Sequence, residues 1–164
     1  MRRHLIGFIL LAMSIPCLAV LQTVNSRPEL ANFPVKADTA LTPGAALTTD
    51  INVICKVGYT KTVRNVPGNV KRKVFEAYHL TNIGRHRFEI DHLISLGLGG
   101  SNDISNLWPQ SYETTPLNAH VKDTLENKLH RLVCQGGVPL EQVQKDVATD
   151  WTAAYVKYIG PLPH

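Results

Sequence analysis

Apolar residues recur every three or four positions in the last third of the chain, and this spacing predicts two amphipathic helices. The first helix is expected to begin at Thr115-Pro116, because threonine is a favoured N-cap and proline suits the first helical position. Gly136-Gly137 ends it. The apolar stripe of the first helix is Val121, Leu125, Leu129 and Leu132, and that of the second is Leu140, Val143, Val147, Trp151 and Ala154.

The preceding residues predict strands and one further helix. Residues 51–57 and 59–64 are rich in β-branched side chains and are expected to form two short strands, whereas residues 70–80 have helical spacing. Residues 85–95 are expected to form a longer strand, and the glycine cluster after them allows a tight turn. The pattern predicts one α+β domain over residues 51–164, which is enough chain for a modest core.

The N-terminal 26 residues are typical of a secretory signal peptide. The first four residues, Met1-Arg-Arg-His, form a basic segment, and residues 5–21 are almost wholly apolar but short and interrupted by Ser14 and Pro16. An uncleaved membrane anchor is the alternative. Residues 27–50 are rich in Pro, Ala and Thr and are expected to form a linker or an extended arm. We therefore expect a secreted or periplasmic protein with no membrane partner once the signal is removed.

Charge is unevenly distributed along the chain. The formal net charge is +4, and without Arg2 and Arg3 of the signal there are 15 Lys and Arg against 13 Asp and Glu. Between residues 56 and 87 there are eight basic side chains and one acid, whereas residues 88–119 contain four acids and no Lys or Arg. A basic segment beside an acidic pocket suits a protein that grips a polyanion and places a cation within it. An ordinary solvated basic surface is the alternative.

Two cysteines remain after removal of the signal, Cys55 and Cys134. In an oxidising compartment, an even number of cysteines indicates a disulfide. It would close a loop of about 80 residues and contribute roughly 4 kcal/mol through chain entropy. Neither cysteine lies in a CxxC pair or beside a histidine, so the sequence favours a disulfide over zinc binding.

Residues 89–110 hold the densest group of candidate catalytic side chains. Asp91-His92 lies in an apolar, strand-like run, a glycine-rich turn follows, and Asn106 precedes Leu-Trp-Pro. Downstream, polar residues open the first predicted helix. An acid–histidine pair, then an asparagine, then a polar residue on a helix resembles the ββα-metal motif of HNH endonucleases. The resemblance covers about residues 88–131.

The resemblance implies a role for each of these residues. His92 would be the base that activates water, since imidazole accepts a proton near neutral pH. Asp91 would ligate one divalent ion, Mg²⁺ by preference and Mn²⁺ or another ion as an alternative. Asn106 would brace the loop that holds the histidine; an ordinary turn asparagine is the alternative. Adjacent side chains of a regular strand point to opposite faces, so the strand must end, twist or bulge at Asp91-His92 if both serve one site.

Two residues compete for the third position of the motif, which in that family ligates the metal from the first turn of the helix. At about 100° per residue, Asn118 lies with the apolar stripe and His120 lies on the opposite face. Because the metal in this fold sits between helix and hairpin, we expect Asn118 to be the ligand, with His120 as the alternative.

Three basic side chains are candidates for contacts with substrate phosphate. Lys122 lies in the predicted motif helix, and Arg85 and Arg87 lie on the predicted strand. Each of them would otherwise be a solvated surface charge. Glu89, two residues before Asp91 on the same strand face, would be a supporting acid near the metal. The remaining candidates are expected to be structural: Trp108, Glu126 and His130.

Together these features predict an exported, disulfide-bonded HNH-type endonuclease, a hydrolase of low sequence specificity acting on DNA in preference to RNA. Its fold would be a ββα-metal core with flanking helices and a small N-terminal β element. A secreted protein that binds nucleic acid or another polyanion on the same fold without cleaving it is the alternative. The Asp91-His92 pair argues against that alternative, because binding alone requires neither residue.

Overall fold

The structure, a computed structural model, describes residues 33–80 and 84–164. In these residues the chain forms a mixture of helices and one two-stranded antiparallel sheet, which confirms the α+β class. The elements in chain order are α1 (Ile51–Ile54), α2 (Tyr59–Val63), α3 (Gly68–Ala77), β1 (Phe88–His92), β2 (Leu107–Ser111), α4 (Ala119–Cys134) and α5 (Leu140–Tyr158). The predicted signal peptide lies outside the described residues. None of the described helices is long and apolar enough to cross a membrane.

The two strands are joined by the glycine-rich loop. Phe88 pairs with Ser111, and His92 at the other end of β1 pairs with Leu107. The loop needs glycine at two positions: Gly99 has a φ of +77°, and a Cβ at Gly100 would collide with the carbonyl group of Ile94. The loop therefore turns tightly enough to bring the start of β2 back beside the end of β1.

Within residues 51–64 the chain forms the two short helices α1 and α2 and no strand, so the prediction of an N-terminal β element is wrong. The carboxylate of Asp50 caps α1 by accepting the backbone N–H of Asn52 at 2.8 Å. Ile54 and Tyr59 are buried in the main core, and Cys55 is bonded to α4. Capping, burial and the cross-link outweigh the context-dependent β preference of the branched side chains.

Helices α4 and α5 supply most of the main core. The predicted α5 stripe is buried at all five positions. In α4, burial falls on Ala119, Lys122, Leu125, Leu129 and Val133, whereas Val121 and Leu132 are half-buried. The buried face of α4 is thus rotated slightly about the helix axis from the predicted apolar stripe, and it includes Lys122.

Helix α4 begins later than predicted. Its N-cap is Asn118, whose side-chain oxygen accepts the backbone N–H of Val121 at 3.3 Å. Thr115-Pro116, joined by a cis peptide bond, lies in the loop before the helix and does not cap it. Asparagine and threonine are both good N-caps, and the predicted cap at Thr115 is wrong.

The disulfide and the N-terminal arm fasten the outer segments to the core. Cys55 and Cys134 are bonded with their Cα atoms 5.7 Å apart, which confirms the predicted disulfide. The described residues 33–50 form an arm rather than a free linker. Trp151 donates a hydrogen bond to the carbonyl of Val35 at 2.6 Å, and Thr42 donates to that of Leu107 at 3.0 Å.

Candidate metal and catalytic site

Lys122, on the inner face of α4, is the centre of the polar cluster. Its side chain is only 1% exposed, and its ammonium group contacts Asp91 Oδ2 at 2.7 Å, the carbonyl oxygen of His92 at 2.9 Å and the carboxylate of Glu126. These acceptors use all three ammonium protons. Burial is the largest influence and favours the neutral amine, but attraction to Asp91 and Glu126 outweighs it, so the pKa of Lys122 is raised. The sequence predicts that Lys122 contacts substrate phosphate. The structure instead buries its ammonium group among protein acceptors.

Two of the four nearby carboxylates, Asp91 and Glu126, contact this ammonium group, and the other two, Glu89 and Asp123, are influenced by its charge. Glu89 and Asp91 lie on β1, and Asp123 and Glu126 lie on α4. Burial, followed by repulsion from Asp91 and Asp123, raises the pKa of Glu89 to about 7. Burial also raises the pKa of Asp123 and that of Glu126, and Asp91 adds to the effect on both. The cluster therefore carries more acidic groups than Lys122 neutralises.

Unpartnered polar atoms in the cluster fit a hard divalent cation. Asp91 Oδ2 also accepts from Trp108 Nε1 at 3.2 Å, whereas Asp91 Oδ1 has no hydrogen-bond partner among the described residues. Gln110 faces the same side of the sheet as its register partner Glu89. It is 2% exposed, and neither of its amide atoms has a partner within the described part of the chain. Buried polar atoms of this kind indicate water or an ion, and oxygen donors with excess negative charge suit Mg²⁺ or Mn²⁺.

A second group of possible ligands involves the disulfide. Within the described residues, Cys55, His130 and Cys134 form the one set of three His, Cys, Asp or Glu side chains whose donor atoms all lie within 4.8 Å of one another. Both sulfur atoms are joined in the disulfide, so neither is a thiolate ligand. No three of the described carboxylates Glu89, Asp91, Asp123 and Glu126 have donor atoms that close together, so a cation at this cluster would rest on Asp91 and on the excess negative charge around it.

His92 is the last residue of β1, and its imidazole is almost closed off from solvent, with 4% of the residue exposed. Its Nε2 atom lies 3.1 Å from Asn102 Oδ1. Burial lowers the pKa of His92; Asn102 and Asp91 oppose this shift, and Arg64 and Lys122 add to it. The ring is therefore neutral at pH 7, as a proton acceptor must be. Asp91 and His92 are both paired in the regular ladder, with Trp108 and Leu107, so β1 ends after the pair and shows no bulge within it.

Asn106 braces the loop that follows His92. It is fully buried, and its Oδ1 accepts the backbone N–H groups of Ile94 at 3.0 Å and Ala45 at 3.2 Å. Its Nδ2 donates to the carbonyl groups of Ile94 at 3.0 Å and Ser101 at 2.8 Å. The amide has no remaining proton to offer, so Asn106 acts on the loop and contacts no substrate in this conformation.

The two candidates for the third motif position are not inward-facing residues of the first helical turn. Asn118 precedes the helix, and its amide oxygen caps it. The His120 side chain is 71% exposed, as its predicted outward position requires, and it stacks on Tyr112 with ring centroids 5.3 Å apart. On the same helix, the carboxylates of Asp123 and Glu126 are repelled by that of Asp91, which adds to the rise in the pKa of both.

Two open grooves lie beside the cluster. The first, called the basic groove, has a volume of about 610 Å³ and is lined by Glu89 and by the basic side chains Arg64, Lys71, Arg72, Arg85 and His86. The second has a volume of about 390 Å³ and is lined by Arg64, Asp123, Glu126 and Asn127, among others. Arg64 belongs to both. Arg85 lies over the ring of Phe75 at 5.5 Å, whereas Arg87 is paired with Glu113 at 2.7 Å and is less available to a phosphate.

Sequence reasoning missed several residues that build the site. Asp123 and Asn102 are not among the predicted site residues, and Glu126 and Trp108 are predicted to be structural. Helical spacing could have identified Asp123 and Glu126, because Glu126 lies one helical turn after Lys122 and Asp123 is adjacent to Lys122. No local pattern identifies Asn102, whose partners are distant in sequence.

The raised pKa of Glu89 predicts a pH-dependent loss of stability. The folded protein retains a proton that the unfolded chain, with an ordinary value of 4.5, releases as the pH rises towards about 7. Stability therefore falls with rising pH across this window. In EDTA, we expect Glu89→Gln to raise the free energy of unfolding by about 1–2 kcal/mol at pH 8, a size that takes into account partial screening by solvent. The effect should be smaller at pH 5, where the folded protein keeps Glu89 protonated. Urea titrations at both pH values measure this, with the exposed Glu141→Gln as control; equal responses of the two variants would contradict it.

Comparison of the chain with protein-family models, with curated proteins and with solved structures found no match.

Proposed function

We propose that this chain is an exported, metal-dependent endonuclease with an HNH-type ββα-metal core, and that it hydrolyses phosphodiester bonds of DNA with low sequence specificity. One observation carries the proposal: a buried, neutral histidine adjoins a carboxylate cluster at the end of one strand, and a basic groove opens beside that cluster. The β1–loop–β2 pair followed by α4 supports the same core arrangement. The disulfide supports export to an oxidising compartment.

The divalent ion, Mg²⁺ or Mn²⁺, would be held by Asp91, and Glu89 and Asp123 would add negative charge around it. When bound there, it would stabilise negative charge on the phosphate and on the departing 3′ oxygen. Lys122 holds Asp91 in place from behind through its 2.7 Å contact, which leaves Oδ1 as the oxygen for a ligand. Asn118 and His120, expected from the sequence to hold the metal, have no such role in this proposal.

His92 accepts the proton of the attacking water. Its neutral state at pH 7 fits this step, since an imidazolium could not take a second proton. As the water oxygen bonds to phosphorus, the bond to the 3′ oxygen breaks, and the leaving oxygen takes a proton from solvent. Arg64, which lines both grooves, is well placed to hold the phosphodiester backbone.

A non-catalytic protein that binds nucleic acid or another polyanion is the second candidate. One observation favours it: the ammonium group of Lys122 already lies between Asp91 and Glu126, where it satisfies part of the negative charge. Under this alternative the basic groove alone would carry the function.

Incubation of the purified protein with supercoiled plasmid separates the two candidates. The nuclease proposal predicts nicking in Mg²⁺ or Mn²⁺ and none in EDTA. Retarded plasmid or oligonucleotide in a gel shift, with no cleavage in any divalent ion, would support the binding protein instead.

Removing charge from the basic groove is expected to weaken DNA binding without stopping the chemical step. Loss of one phosphate-binding side chain lowers the slope of log K against log salt by about 1, so Lys71→Ala with Arg85→Ala should lower it by about 2. Fluorescence anisotropy with a labelled duplex, titrated at several salt concentrations, measures the slope. The matched control is Arg131→Ala with Lys145→Ala, two exposed positions outside the groove. An identical slope in both double variants would remove the groove from the binding surface.

A further inference from the structure

The imidazole of His92 has one side-chain hydrogen-bond partner among the described residues, Asn102. The Nε2 atom of His92 lies 3.1 Å from Asn102 Oδ1. The orientation of this amide is fixed by two further contacts: Nδ2 donates to the carbonyl of Val63 at 2.8 Å, and Oδ1 accepts the backbone N–H of Asn65 at 3.2 Å. A flipped amide would place N–H against N–H at Asn65 and oxygen against oxygen at Val63, so the assignment follows from the network.

The oxygen of an amide only accepts hydrogen bonds, so the nitrogen that faces it must carry the proton. We propose that Asn102 is a positioning residue that holds neutral His92 as the Nε2-protonated tautomer, which leaves the lone pair on Nδ1 as the proton acceptor of the site. The tautomer assignment stands on the geometry alone. Its catalytic consequence rests on the proposed nuclease function.

The contacts of Asn102 join two segments that are far apart in sequence. Val63 and Asn65 lie at the end of α2 and just after it, 39 and 37 residues before Asn102. That segment follows α1, where Cys55 is bonded to Cys134 of α4. Asn102 itself lies in the loop that Asn106 braces through the carbonyl of Ser101. The Asn102 amide is therefore held by the residues at the end of α2 and by its own loop. The α1–α2 segment, which the disulfide joins to α4, thus helps to orient His92.

Nitrogen-15 NMR of histidine-labelled protein tests the tautomer directly, at a pH at which His92 is neutral. Long-range proton–nitrogen correlations distinguish the two ring nitrogens. The wild type should show Nε2 protonated and Nδ1 unprotonated. Asn102→Ala should show a mixture of tautomers, because the acceptor is gone. The exposed Asn52→Ala, in α1, is the matched control and should match the wild type.

Asn102→Asp supplies a second readout that a purely structural residue would not move. The carboxylate still accepts from Nε2, so the tautomer should be kept, but its charge favours the imidazolium. The acidic limb of the pH–rate profile for plasmid nicking should therefore move up by about one pH unit. Asn102→Ala should lower kcat by about tenfold or more with KM nearly unchanged.

Two results would overturn the proposal: a wild-type His92 protonated on Nδ1, or an Asn102→Ala variant that keeps the wild-type tautomer. Failure of the nuclease function has a different signature. In that case the wild type does not nick DNA, yet His92 still shows the Nε2-protonated tautomer and Asn102→Ala still loses it.

Discussion

His92→Ala is expected to lower kcat for metal-dependent plasmid nicking by about 10²–10⁴-fold, the range that loss of a general base produces. The imidazole is the group at the end of β1 that is neutral at pH 7 and can take a proton from water. Binding of DNA should change little, because the basic groove is formed by other side chains. Nicking rates and anisotropy binding curves for the same preparation measure both quantities.

The control for this variant is His164→Ala at the exposed C-terminus, which should nick at the wild-type rate. Circular dichroism verifies that His92→Ala is folded, since the ring is buried and its removal leaves a cavity. A folded His92→Ala variant that still nicks at the wild-type rate would exclude the imidazole as the base.

Lys122→Met is expected to lower the free energy of unfolding by about 3–5 kcal/mol, the cost of leaving buried charges without their partner. The methionine fills similar volume, so the loss comes from Asp91 and Glu126, whose carboxylates would face an apolar side chain. Adding Glu126→Gln to this variant should recover part of the loss, because one of the two charges is then removed.

Urea denaturation at pH 7 in EDTA measures these differences. The control is Lys145→Met on the exposed face of α5, where we expect a change of less than about 0.5 kcal/mol. A loss for Lys122→Met no larger than that of Lys145→Met would mean that the lysine is not the centre of the cluster.

The parts of the fold that follow local rules were predicted from the sequence. The α5 stripe is buried at every predicted position, and the cysteine count led to the disulfide. The prediction of an N-terminal β element is wrong because a high content of β-branched residues is only a weak indication of a strand. Helix α1 is stabilised by the Asp50 cap and by burial of Ile54, and no composition count contains the second of these.

The candidate site was predicted less completely, for a physical reason. Asp91, His92 and Asn106 lie close together in sequence, and the fold keeps them near one another. The sequence predicts that Lys122 contacts substrate phosphate or is a solvated surface charge, whereas the structure buries it between partners that come from β1 and from its own helix. Three-dimensional pairing of this kind leaves no local pattern in the sequence.

The dependence of plasmid nicking on Mn²⁺ concentration, measured for the wild type and for Asp91→Asn, tests the central claim most directly. The account predicts saturable nicking by the wild type, abolished by EDTA, and a Mn²⁺ requirement at least about tenfold higher in Asp91→Asn, because a charged oxygen ligand is lost. Asp38→Asn, at an exposed position in the arm, should behave as the wild type. Nicking that persists in EDTA, or a Mn²⁺ requirement that Asp91→Asn leaves unchanged, would contradict the account.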